Sequence, residues 1–108
     1  MTSFEELAAA SFKIIAAVGD ARSCYLEAIR AAKNGDYDGA QARLDEGQKM
    51  FRAGHAAHTD LVQREAGGHP VDMTLMITHA EDQLMSAEAF GILAEEFIDV
   101  YRRFDGMA

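Results

Sequence analysis

Residues 33–39, KNGDYDG, decide how this chain folds. Asn34 and Gly35 are residues that end helices, and Asp36 and Asp38 are residues that start them by accepting a backbone N–H with the side chain. The stretch reads as one helix stopping and another beginning, with Asp36 or Asp38 as the N-cap. A second stretch of the same chemistry, AGGHPVD at 66–72, carries the only proline, Pro70, and ends in Asp72, a further candidate N-cap. The two breaks divide the chain into three helical segments. No run alternates apolar and polar residues with β-branched enrichment, so no strand is expected.

Each segment carries an apolar seam at spacings of three and four. In the first it is Phe4, Leu7, Ser11, Ile14, Val18, Ala21, Tyr25, Ala28 and Ala32. The second has Tyr37, Ala40, Leu44, Gly47, Phe51, Gly54, His58 and Leu61, and the third Met73, Met76, Ala80, Gln83, Ala87, Phe90, Ala94, Phe97, Tyr101 and Phe104. Large and small residues mix along all three, as interdigitating helices require. The expected fold class is all-α, an antiparallel three-helix bundle. The third segment holds a second seam, Leu75, His79, Asp82, Ser86, Ala89, Leu93, Glu96 and Val100, beside a narrow solvent face of Thr74, Glu81, Glu88, Glu95, Asp99 and Arg102. A bundle of this size needs one inward stripe per helix, so the extra seam points to a helical homo-oligomer, coiled-coil-like around the third helix.

A chain of 108 residues is long enough for one core and too short for two, so residues 1–108 are read as a single domain. The net charge of −8 disfavours attraction to phosphate backbones and anionic lipid, which argues against a nucleic-acid or membrane-surface role. No apolar run approaches a membrane span, and the start MTSFEELAAASFK lacks a basic segment ahead of an apolar one. A cytoplasmic address is the expectation. The single cysteine, Cys24, agrees with a reducing compartment and reads as a small buried apolar residue.

The chemistry-bearing residues cluster in MITHAEDQLM, 76–85. A histidine in an apolar stripe is either a hydrogen-bonded packing residue or a functional one. Asp82 and Gln83 follow His79 by three and four residues, and Ser86 extends the line, so helical geometry sets all of them on one side. A carboxylate withdrawn from water needs a cation or shared partners. One chain offers too few ligands for a closed metal site, but in a symmetric trimer three Asp82 carboxylates would suit Mg²⁺ or a similar divalent cation. His55 and His58 read as half-exposed, His69 as solvated, and Met50, Met73, Met76 and Met85 as core filler. No glycine-rich phosphate loop, G-x-S-x-G, H-E-x-x-H or C-x-x-C occurs. Nucleophilic chemistry therefore falls to imidazole, which forms a labile N–P bond suited to a carrier.

HAEDQLM, with LAEEFIDVY behind it, resembles the HAQDHLM signature of the IIA component of the lactose/cellobiose (chitobiose)-type sugar phosphotransferase system. VGDARSCYLEAIRAAKNGDYDGA resembles that family's first helix and turn, and AGHAAHTDLVQREAGG its AHxxQTxLIxxEA segment. The resemblance implies a homotrimer of three-helix protomers with a phosphorylatable histidine in H-A-x-D and a metal on the threefold axis. Carried over, His79 accepts a phosphoryl group from phospho-HPr and passes it to a cysteine of the IIB component. Asp82 takes the shared metal, with Gln83, Ser86 and His58 in support. Three positions depart from the family pattern: Glu81 stands where Gln is usual, Gln83 where a second His is usual, and His58 where Gln is usual. Two rivals remain: a non-catalytic helical adaptor, since NGDYDGAQARL resembles the start of a tetratricopeptide repeat, and a regulator that keeps the trimer but not the transfer.

Overall fold

The computed structural model describes residues 3–107. They form three helices, α1 (Phe4–Lys33), α2 (Tyr37–Ala66) and α3 (Leu75–Met107), and no strand. Each helix starts on a side-chain oxygen that takes up an otherwise orphaned N–H. Ser3 Oγ accepts from the Glu6 amide at 3.1 Å, Asp36 Oδ1 from Gly39 at 2.9 Å, and Thr74 Oγ1 from Ile77 at 3.2 Å. Of the two aspartates offered by KNGDYDG, Asp36 is thus the cap, and Gly35 turns the chain at φ 79, which glycine adopts without steric cost.

The third start differs from expectation. Asp72 does not cap α3; its carbonyl accepts from the Thr74 N–H at 3.0 Å, and the helix begins only at Leu75. The reason is local: Thr74 brings a hydroxyl within reach of the Ile77 amide. Met73 consequently lies outside the helix and is exposed.

Helices of 30, 30 and 33 residues rise about 1.5 Å per residue, and three of them side by side give a rod of 59 × 20 × 19 Å. α1 packs extensively on both partners, and α2 and α3 meet each other least. The α1 seam is the core as read, Leu7 through Ala32 all buried, with Phe4 exposed and Cys24 added. Ser11, the one buried polar side chain among the described residues, donates to the Leu7 carbonyl at 2.8 Å, so its hydroxyl is paired. On α2, Ala40, Leu44, Gly47, Gly54 and Leu61 are buried. The NGDYDGAQARL segment is the turn and opening of this helix, not the start of a repeat array.

On α3 the buried stripe is rotated from the expected one. Ile77, Ala80, Leu84, Ala87, Gly91, Ala94 and Ile98 face the bundle, while Phe97 and Phe104 are exposed and Gln83 and Phe90 sit at the edge. Tyr25 sets this orientation. Its ring lies between α2 and α3 where a Cβ on Gly47 would come within 2.6 Å of Cε1 and one on Gly91 within 2.8 Å of Cζ. Only glycines admit it there, and the rotation that brings Gly91 inward carries Phe97 outward. Met85 is likewise exposed, not core filler.

Every residue of the second α3 seam, from Leu75 to Val100, is exposed on the protomer. Its Leu93 and Val100, with the exposed Phe97 and Phe104 of the first seam, make an apolar face that the chain itself leaves uncovered. Among the described residues no helix is long and apolar enough to cross a membrane.

Candidate functional site

His79 stands near the start of α3, just beyond the Thr74 cap, and is exposed. It lies on the rim of an open apolar groove between α1 and α3 lined by Phe4, Phe12, Ile15, Leu75 and Met76. At about 100° per residue, Asp82, Gln83 and Ser86 fall within roughly 60° of His79 around the helix. The four side chains expected on one side of α3 are therefore together there, and Asp82 and Ser86 are exposed like His79.

Gln83 is tied to the bundle. Its Oε1 accepts a hydrogen bond from Arg22 Nη1 of α1, which fixes the amide on the α1 side of the groove. Arginine has no acceptor, so the Gln83 oxygen faces it and the NH₂ group is left to donate elsewhere. Sequence reasoning missed Arg22. The available signal was its place one residue after Ala21 of the α1 seam, the rim of the helix interface.

His58 is not brought to His79. Its Nε2 lies 2.8 Å from Glu81 Oε1, on the α2 side of α3. Glu81 is two residues from His79, about 200° around the helix, so the two histidines serve opposite flanks. Glu81 is half-buried in this pair, not on a free solvent face as the pattern implied. His55 is exposed with its ring 6.0 Å from that of Phe51, and His69 is exposed in the loop.

Within one chain the described residues hold no cluster of three His, Cys, Asp or Glu side chains able to bind a metal. Asp82 offers a single carboxylate on the uncovered face, which would suit a divalent cation only where copies of the chain brought several such carboxylates together. Away from the site, burial pushes the Cys24 thiol up from its ordinary pKa, with Glu46 and Glu27 adding to the effect. A protonated, buried thiol is a poor nucleophile.

Comparison with known proteins shows the family. The family described as the lactose/cellobiose-specific IIA subunit of the PTS system matches residues 9–102. The lichenan-specific phosphotransferase enzyme IIA component of Bacillus subtilis is 39% identical over 99 residues, covering 92% of this chain and 90% of that protein. The crystal structure of the PTS cellobiose-specific enzyme IIA from Bacillus anthracis superposes with a TM-score of 0.91 at 31% identity, over 100% of this chain and 97% of that one. The IIA(Chitobiose) component of Escherichia coli, solved in complex with HPr, superposes with a TM-score of 0.78 at 27% identity, over 89% and 93% of the two chains.

Proposed function

This chain belongs to the lactose/cellobiose-specific IIA family of the sugar phosphotransferase system, and we propose that His79 is the residue on which it carries the phosphoryl group. The observation behind this assignment is an exposed imidazole on a groove rim, flanked on one helix side by Asp82, Gln83 and Ser86. The donor is phospho-HPr; the chitobiose relative was solved in complex with HPr. The acceptor is a cysteine of the cognate IIB component, and the setting is the cytoplasm.

The transfer is balanced without nucleotide or water. A lone pair on the neutral His79 ring attacks phosphorus as the bond to the donor's leaving atom breaks, and the broken bond's electron pair stays with that atom. The His79 ring becomes a phosphoimidazolium and keeps its N–H proton. In the onward step a thiolate attacks the same phosphorus and the pair returns to the ring nitrogen. Little covalent work is asked of the protein, so positioning and charge stabilisation carry the rate.

The uncovered α3 face supports a homotrimer, with Leu93, Phe97 and Val100 buried between copies. Three Asp82 carboxylates on its axis would hold Mg²⁺ or a similar cation; without one they repel each other. The ion would supply charge neutralisation between subunits.

Incubation with phospho-HPr tests the reading: the protein should take up an acid-labile, base-stable phosphate, and His79→Gln should take up none. Equal labelling of the variant would overturn the assignment. An intact trimer that no phospho-HPr labels would instead favour the regulator.

A further inference from the structure

We propose that Arg22 is the cation that meets the phosphoryl group on His79, its guanidinium donating to the phosphoryl oxygens beside the Gln83 amide that holds it in the resting protein. The inference rests on His79 being the phosphorylated residue and adds a residue from another helix to that site.

Arg22 is set apart by its surroundings. It is the one half-buried cation of the described chain; every other lysine and arginine is exposed. Among the described residues Arg22 meets no carboxylate within 4.0 Å, and unlike the other unpaired cations it is not exposed, in a chain with 18 acidic residues against 10 basic ones. Its observed side-chain partner is the neutral amide of Gln83. A guanidinium partly withdrawn from water without a counter-ion has an unspent attraction for an anion.

The place of this charge matches the need. Gln83 follows His79 by four residues, so the two side chains are neighbours one turn apart. Arg22 reaches Gln83 from α1, the helix whose Phe12 and Ile15 line the groove beside His79. A dianionic phosphoryl group arriving on the ring enters an acidic protein, with Asp82 one turn away on the same side. Arginine answers this well: five donors in a planar fork match phosphate oxygens, and only some are used on Gln83. The freed NH₂ donors of Gln83 supply a further contact.

Loading from phospho-HPr should therefore slow by about tenfold to a hundredfold in Arg22→Gln, with partial recovery in Arg22→Lys. A structural role alone would not move a second readout. In ³¹P NMR of the loaded protein, the last ionisation of the phosphoryl group should shift to higher pH when Arg22 is removed, because a nearby cation favours the dianion. Helical circular dichroism and native mass establish that each variant is folded and assembled. Should Arg22→Gln fail to fold, Arg22→Met keeps the apolar stem and takes its place. Wild-type labelling rates together with an unmoved ³¹P titration overturn the proposal. Labelling of His79→Gln overturns the assignment of His79 instead, and the two failures are distinct.

Discussion

The His58 imidazole of α2 and the Glu81 carboxylate of α3 meet at 2.8 Å across the α2–α3 seam, the least extensive of the three helix contacts. Both positions depart from the family pattern, and the structure places the two departures against each other. The Glu81 carboxylate, an anion two residues from His79, is therefore engaged by α2, on the flank away from His79.

Glu81→Gln should accordingly leave loading of His79 within about twofold of wild type. Both partners are partly exposed, so losing the pair should cost only about 0.5 kcal/mol in urea unfolding. A tenfold loss of loading would show that the two flanks communicate.

The Tyr25 wedge predicts opposite signs for two glycine substitutions. Gly91→Ala sets a methyl 2.8 Å from Tyr25 Cζ and should destabilise by about 1–2 kcal/mol after the helix-propensity gain is subtracted. Gly19→Ala meets nothing within 4 Å and should stabilise by about 0.5–1 kcal/mol. Equilibrium urea curves decide both, and a stabilised Gly91→Ala would mean the ring is not held there.

Three acids titrate high in the folded protein. Burial raises the Cys24 and Tyr25 groups, and the hydrogen bond to Asp105 raises Tyr37. For a neutral acid whose folded pKa lies above its unfolded value, stability is full below the unfolded pKa and is lost as pH rises past it. The unfolded thiol and phenols ionise near 9.0 and 10.0, so thermal stability should be flat to about pH 9 and fall beyond it. Cys24→Ser combined with Tyr37→Phe should soften that fall. An unchanged alkaline limb would place its cause in other groups.

The uncovered α3 face makes a prediction about assembly. Phe97→Asp leaves the protomer core intact, since Phe97 is exposed, and should yield a folded species of protomer mass in native mass spectrometry. Wild type should have three times that mass, and chelation should weaken it only where Asp82 is present. A wild-type protomer mass would remove the trimer.

How far the fold could be read from sequence depended on how many faces of each helix are apolar. On α1 one stripe stands out, and its period marked the core from Leu7 to Ala32. α3 is apolar around much of its circumference, so the pattern alone did not say which stripe faces inward. Gly91 settles that through the space Tyr25 needs, and a glycine carries no hydrophobic signal. Asp72 and Thr74 are both good cap residues, and the loop conformation after Pro70 chose between them. His79, Asp82 and Gln83 were legible because their grouping follows from helical spacing within one segment. Arg22 and the His58–Glu81 pair were not, because they join helices whose relative register is set by packing.

The most direct test of the account is the phosphate uptake of His79→Gln beside wild type after exposure to phospho-HPr, read as acid-labile, base-stable label per chain. The account predicts label on wild type and none on the variant. Equal labelling of the two would contradict it.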